Sequence, residues 1–318
     1  MVSRLPRRQA VEGLEGTRVG RYVVHGLLGR GAYSAVYRAS TAAGGWCALK
    51  LVDARLQGGE NLAERLRRDA AVLDRIGHPH ILPIRSPMAS DALTAAAMPL
   101  MIAPSLEELM QDGGLDSEQA WRILSQIADA LQCIHQVGLT YRVLKPSNVL
   151  VRDGDAYLAE FGITGRDIGR VGLTVPDGEL RWAQYLAPEQ VLGEEPDLRA
   201  DIYSFAVLVF ELATATPLDD DARPSAILRR TLHDPPPSAW SRNHRIPREV
   251  DGVLRRALAR DPAARQASVG ELIEELACPP PPAGGGGHGW RSSVVTVDSL
   301  VDVLSGVLAP PEGTSSRE

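Results

Sequence analysis

The sequence predicts an α+β protein of two lobes, a small β-rich lobe followed by a larger α-helical one. Three observations carry that prediction. From Tyr22 to Ile84 the apolar pattern is strand-like and interrupted by one helix, whereas from about Ser105 to Ala277 it turns mainly helical. Ile202–Ala213 is apolar almost all round, the pattern of a central helix buried on every side. The 318 residues, 44% hydrophobic and 23% charged, have the balance of a folded chain with a substantial core. A net charge of −6 argues against bulk nucleic-acid binding, which needs clustered Lys and Arg to displace counterions. No apolar run reaches the roughly 18 residues of a membrane span, and the basic start leads into polar sequence, so a cytoplasmic protein is expected. Cys47, Cys133 and Cys278 are too few and too scattered for a disulfide framework or a zinc site.

Taken in order, residues 1–19 form a polar, loose lead-in, and residues 20–277 form the two-lobed unit, divided near 101/102. The helix of the first lobe covers roughly Glu60–Ile76, with Leu62, Leu66, Leu73 and Ile76 as its apolar stripe. Asp69 falls into that stripe. A carboxylate facing a core needs a cationic partner to offset desolvation, and Lys50 is the candidate, the alternative being a solvated helix flank. In the second lobe, Asp116-Ser117-Glu118-Gln119 opens a long helix through Gln136, because short polar side chains cap free backbone N–H groups. Residues 278–290 read as a stiff proline step followed by a flexible glycine run. The tail 291–318 carries Leu300, Val301, Leu304, Val307 and Leu308 at helical spacing. Three readings of the tail stand: packing on its own domain, docking in a protein partner's groove, or disorder.

The chemistry begins at Leu28-Gly29-Arg30-Gly31-Ala32-Tyr33-Ser34-Ala35-Val36. Glycines let a turn between strands approach phosphates with N–H groups free to donate, although taken alone, with Ser34 where a third glycine would stand, this stretch is better explained by a plain hairpin. Cys47-Ala48-Leu49-Lys50 ends an apolar strand in a lysine, which ordinarily only reaches toward solvent. In combination these features are more specific. The glycine-rich loop, Lys50 and the acidic helix residue Asp69 are followed by His78-Pro79-His80-Ile81-Leu82 and by Met98 before Pro99-Leu100-Met101. Then come Leu144-Lys145-Pro146-Ser147-Asn148-Val149-Leu150, Glu160-Phe161-Gly162, Ala187-Pro188-Glu189, Asp201-Ile202-Tyr203-Ser204 and Arg265. From about residue 20 to 277 the chain resembles the bacterial eukaryotic-type (Hanks-type) Ser/Thr protein kinases. The resemblance implies their fold and an ATP pocket. Leu28, Val36 and Ala48 would roof the adenine, with Leu150 as its floor and Met101 as the hinge. Gly29, Gly31, Lys50, Asp69, Lys145 and Asn148 would surround the phosphates and metal, and Arg265 would pair with Glu189.

Against that family the chain departs at three places. The catalytic loop reads Tyr141-Arg142-Val143, so Val143 stands where the family has the Asp that orients the substrate hydroxyl. Valine has no polar atom for that task. Trp182 stands where the family has the threonine bonded to that Asp, and an indole against an apolar Val143 would avoid an unpaired hydroxyl. Glu160 replaces the metal-binding Asp, and its added length is complementary to the shortened Asp69. Glu160 therefore either still holds Mg²⁺ together with Asn148 or pairs with Lys50 in a metal-free cleft. Arg142 implies a phosphorylated activation-loop residue, with Thr174 as the candidate, modified by an active kinase. The expectation is a pseudokinase: ATP-binding, a regulatory or scaffold module in bacterial signalling, recruiting a protein partner. The alternatives are a weakly active Ser/Thr kinase or a nucleotidyl transferase using the same pocket.

Overall fold

The architecture was taken from a computed structural model of the chain, which describes residues 11–30, 34–53, 62–89, 93–113, 115–142, 144–159, 181–221 and 223–278. Its first lobe is a six-stranded antiparallel sheet with one helix. The strands are β1 (Arg18–Val19), β2 (Tyr22–Arg30), β3 (Ser34–Thr41), β4 (Trp46–Asp53), β5 (Arg85–Ala89) and β6 (Leu93–Pro99), in the spatial order β1-β2-β3-β4-β6-β5. Helix α1 (Leu62–Ile76) lies between β4 and β5 in the chain.

Strand alternation gives this sheet two faces with different tasks. Tyr37, Ala39, Leu49, Leu51, Ala95 and Ala97 make one buried cluster on the outer face. That face is closed by the N-terminal segment: Val11 is buried, and the Tyr37 hydroxyl donates to the Val11 carbonyl at 2.9 Å. Within the expected lead-in, Val11 is buried and Leu14 and Val19 pack partly against this face, while residues 15–18 are exposed. The opposite face carries Val36, Ala48, Ala96 and Met98, which join the core of the second lobe. Register places Val36 opposite Lys50, Lys50 opposite Ala96 and Ala48 opposite Met98.

The second lobe contains α2 (Leu106–Gln111), α3 (Ser117–Gln136), the hairpin β7 (Val149–Arg152) and β8 (Asp155–Leu158), then α4 (Pro188–Val191) and α5 (Leu198–Thr214). It ends with α6 (Pro224–His233), α7 (Ala239–Arg242), α8 (Arg248–Ala257) and α9 (Val269–Ala277). Helix α3 starts as its sequence requires: Asp116 accepts from the Gln119 N–H at 2.8 Å, and Gln119 accepts from the Asp116 N–H at 3.3 Å. Every residue of α5 from Ala200 to Thr214 is buried. The lobes are joined by backbone bonds, Leu82 N–H to the Leu158 carbonyl at 2.9 Å and Leu158 N–H to the His80 carbonyl at 2.8 Å. No helix among the described residues is long and apolar enough to cross a membrane.

Arg265, with its guanidinium fully buried, ties the last helices to α4. It donates two parallel bonds to Glu189, each 2.8 Å, and further bonds to the carbonyls of Ala259 and Arg199 at 2.8 Å. The bidentate geometry and the filled donors are what make such a pair tolerable in a dry interior. Arg265→Ala leaves the Glu189 carboxylate uncompensated and should cost about 3–5 kcal/mol in urea unfolding.

Tyr203 lies beside this pair, with the Arg265 guanidinium 5.1 Å from its ring centroid. Burial pushes its phenol up to about 12. A phenol that ionises less readily when folded stabilises the fold below pH about 10, and that contribution is lost as pH rises toward 12. Over that window Tyr203→Phe should lose roughly 2–3 kcal/mol less stability than the unaltered chain, read from unfolding at pH 9, 10, 11 and 12.

Candidate functional site

The cleft between the lobes is roofed by β2, β3 and β4. Gly29 pairs with Val36, and Leu28 beside it is about half exposed toward the opening. Ala48 and Lys50 alternate on the cleft face of β4 with Val36 across from Lys50 on β3. Lys50 is 5% exposed, so its ammonium is held inside the protein and not spread into solvent. Asp69 is half-buried on α1. Behind them Ala96 and Met98 are buried, and β6 runs through Pro99 into the linking segment Leu100-Met101-Ile102.

The floor is built by β7. Val151 donates its N–H to the Pro104 carbonyl at 2.9 Å, and Leu150 bridges to Ser105, which fixes Leu150 beneath the linking segment. Just before β7, Pro146–Asn148 forms a tight turn in which Asn148 donates its N–H to the Lys145 carbonyl at 2.9 Å. Asn148 is 4% exposed, and its carbonyl accepts from the Ala159 N–H at 2.9 Å. Val36, Lys50, Asn148 and Leu150 thus come from four separate elements that the fold brings to one cleft.

The loop preceding this turn is held by a buried carboxylate at the head of α5. Asp201, fully buried, accepts from the Tyr141 N–H, the Arg142 N–H and His135 Nε2, all at 2.7 Å. The Tyr141 hydroxyl donates to the Ala159 carbonyl, so Ala159 is gripped through both its amide and its carbonyl. Arg142 has φ +83°, a left-handed conformation that costs a non-glycine residue about 1–3 kcal/mol and persists only when its surroundings impose it. Here they do, since Asp201 holds its N–H and Gln190 Nε2 donates to its carbonyl at 2.7 Å. The Arg142 guanidinium donates to Glu195 at 3.3 Å. In α5 a second carboxylate, Glu211, accepts from Gln184 Nε2 at 2.6 Å and from the Tyr185 hydroxyl.

Gly31, Val143, Glu160, Thr174 and the tail 291–318 lie outside the described residues, as does the side chain of Trp182. Their neighbours are placed: Arg142 and Leu144 flank residue 143, and Ala159 precedes residue 160. Reasoning from sequence missed Asp201 as the loop's anchor, Gln190 and Glu195 as partners of Arg142, and Glu211 as the partner of Gln184 and Tyr185. The available signal was an acidic residue at each end of an otherwise apolar helix, the same signal that singled out Asp69.

A β-sheet lobe with a buried lysine, set over a helical lobe with a strained loop pinned to a buried helix, is the architecture of a protein kinase domain. The protein kinase domain family matches residues 22–276 of the sequence. The chain belongs to the protein kinase family. It is 33% identical over 264 residues to the serine/threonine-protein kinase PknH of Mycobacterium bovis, covering 81% of this chain and 44% of that protein. It is 34% identical over 261 residues to PknD of Mycobacterium tuberculosis, covering 81% of this chain and 39% of that protein. The chain therefore spans less than half the length of these relatives. The crystal structure of the PknI kinase domain of Mycobacterium tuberculosis superimposes with a TM-score of 0.65 at 28% identity, covering 82% of this chain and 97% of that one. Families of this kind use ATP and Mg²⁺.

Asp201→Ala removes the acceptor of three bonds at once and leaves two backbone N–H groups unpaired in the core. A loss of at least about 3 kcal/mol is expected in urea unfolding, and Asp201→Asn, which keeps one acceptor oxygen, should lose less.

Proposed function

We propose that this chain is a pseudokinase, a nucleotide-binding member of the family that works as a regulatory or scaffold module with little or no phosphotransfer. The observation that carries the reading is Val143 at the position where the family holds its catalytic carboxylate. A valine can neither accept the hydrogen bond of a substrate hydroxyl nor hold that hydroxyl in line, and removing a positioned base costs about 10²–10⁴ in rate. Trp182 at the position of the partnering threonine supports the same reading, because both halves of one polar contact have been replaced by apolar groups.

The cleft keeps the features that a nucleotide needs. Lys50 supplies a buried cation, Lys145 lies on the turn opposite, Leu28, Val36 and Ala48 offer an apolar roof, and Leu150 offers a floor. Asn148 is a hard oxygen donor at the buried end of that turn, and with Glu160 it would hold Mg²⁺, which draws charge from phosphate oxygens when bound. The polar donor set fits a magnesium nucleotide, while the residue required to direct an acceptor at it is missing. Binding without transfer is the combination that a switchable docking module uses, and we place its partner among cytoplasmic signalling proteins, with Thr174 as a point of phosphorylation by an active kinase.

Thermal unfolding with ATP, with and without Mg²⁺, tests the first half. At 100 times its Kd, ATP should stabilise the fold by about 2.7 kcal/mol, and a shift enlarged by Mg²⁺ supports binding of the magnesium nucleotide. No shift at saturating ATP defeats nucleotide binding. For the second half, Val143→Asp combined with Trp182→Thr should gain phosphotransfer to a generic protein substrate of at least about 10²-fold over background. Vigorous labelling by the unaltered chain defeats the reading and favours an active kinase, or a nucleotidyl transferase if the transferred group is AMP.

A further inference from the structure

We propose that residues 11–16 are a brace: docked on the outer face of the sheet, they fix the irregular stretch of β2 that carries Leu28 and Gly29, with Tyr37 as anchor and a Glu12–Arg30 pair as second hold. The need for a brace lies in the ladder between β2 and β3. Five steps along β2, from Val24 to Gly29, are matched by only three along β3, from Ala39 to Val36, with register shifts on either side of Leu27. Each extra residue interrupts the regular bonding of the pair and bends the strand. Leu28 and Gly29 close this stretch, and Gly29 lies opposite Val36 of the roof. The part of β2 that roofs the cleft is therefore the part that its own strand pairing secures least.

Residues 11–16 span that stretch on the outer face. At one end the Gly16 N–H donates to the Val24 carbonyl at 2.9 Å, and the Val24 N–H donates to the Thr17 carbonyl at 3.0 Å. At the other end Arg30, the last residue of β2, meets the Glu12 carboxylate at 3.4 Å. Between these holds Val11 is buried, and Leu14 packs partly into the same cluster as Val24 and Tyr37. The Tyr37 hydroxyl donates to the Val11 carbonyl at 2.9 Å, and Tyr37 lies opposite Leu27, at the centre of the irregular stretch. Burial pushes this phenol up, the Leu14 backbone pulls the other way, and Glu15, Arg30 and Glu12 are all close enough to act on it. One buried hydroxyl thus gathers the segment at the point where β2 departs from its partner.

The brace is also light enough to release. Gly13 and Gly16 take φ +64° and +79°, a region open to glycine, and a side chain at either would meet nothing within 4 Å. The segment therefore lies on the surface and is not threaded beneath another element. Its ion pair is solvated, with the Arg30 side chain 58% exposed, so that hold is weak and screened by salt. Val36, which faces the cleft, and Tyr37, which faces the brace, are consecutive residues of one strand. Docking of residues 11–16 would thus set how firmly the roof is held, and with it the affinity of the cleft for ATP. That consequence rests on the nucleotide reading above; the brace itself does not.

Hydrogen–deuterium exchange on the full chain, without nucleotide, tests the brace independently of ATP binding. The Gly16 amide should exchange at least about tenfold more slowly than its unstructured rate. Tyr37→Phe keeps the buried ring and removes only the anchoring hydroxyl, and it should speed exchange at Gly16 and across residues 25–29 by about fivefold. Glu12→Arg should speed both by about two- to fivefold, and adding Arg30→Glu should restore them, a rescue that damage to the sheet would not show. Exchange of Gly16 at its unstructured rate in the unaltered chain overturns the proposal. So does release of Gly16 that leaves residues 25–29 unchanged, or a Glu12→Arg effect that Arg30→Glu fails to reverse. The apparent Kd for ATP, read from thermal unfolding, should rise about two- to fivefold in Glu12→Arg and recover in the double variant. An unchanged Kd while residues 25–29 exchange faster overturns the control of affinity and leaves nucleotide binding standing. Absence of any ATP-induced stabilisation in the unaltered chain defeats the nucleotide reading alone, and the exchange rates still decide the brace.

Discussion

The structure depends on one buried charge. The Asp201 carboxylate sits at the head of a helix whose residues from Ala200 to Thr214 are all buried, so it is removed from water on every side. An isolated carboxylate there would be prohibitively costly. Its three donors, two of them backbone N–H groups of consecutive residues, remove that cost and in doing so dictate the path of the loop that supplies them. The left-handed Arg142 is the visible result. The loop is bent against its own preference because the alternative is an unsatisfied carboxylate in the core. From that fixed point the remaining site follows: Tyr141 reaches Ala159, Ala159 reaches Asn148, and Asn148 leads into the strand that floors the cleft.

Elements governed by local chemistry were legible in the sequence. Asp116 and Gln119 announced the start of α3, and the apolar circumference of Ile202–Ala213 announced a central helix. The alternation in β4 placed Ala48 and Lys50 on one face. Contacts set by the tertiary path were not legible. Nothing local to Val11 shows that it will meet Tyr37, 26 residues further on, at the outer face of the sheet. Nothing local to Glu195 shows that Arg142, 53 residues earlier, will turn to it. Asp201 falls between these cases. A carboxylate in a helix this apolar must have donors, which the sequence does imply, but their identity depends on which loop passes the helix end.

The resemblance to kinases contributed the order of the motifs, and the geometry distinguishes those that maintain the fold from those that perform chemistry. Arg265 with Glu189, and Asp201 with the loop, are buried and multiply bonded, so their loss would be felt as instability. Residue 143 belongs to the other group. Its described neighbours Tyr141 and Arg142 are held by their backbone N–H bonds to Asp201.

The proposed reading asks the described scaffold to persist with valine at position 143. In an architecture where the reactive group also held the loop, its replacement would leave unpaired N–H groups and a collapsed turn. Here Asp201 accepts from the loop, Gln190 satisfies the Arg142 carbonyl, and Glu195 meets the guanidinium. On the proposed reading chemistry is given up while the cleft above keeps Lys50 and Asn148 buried at its walls. The same arithmetic runs in reverse. A carboxylate introduced at 143 would follow an Arg142 already held in its left-handed conformation by Asp201 and Gln190, so a gain of phosphotransfer with unchanged unfolding would support the proposed reading.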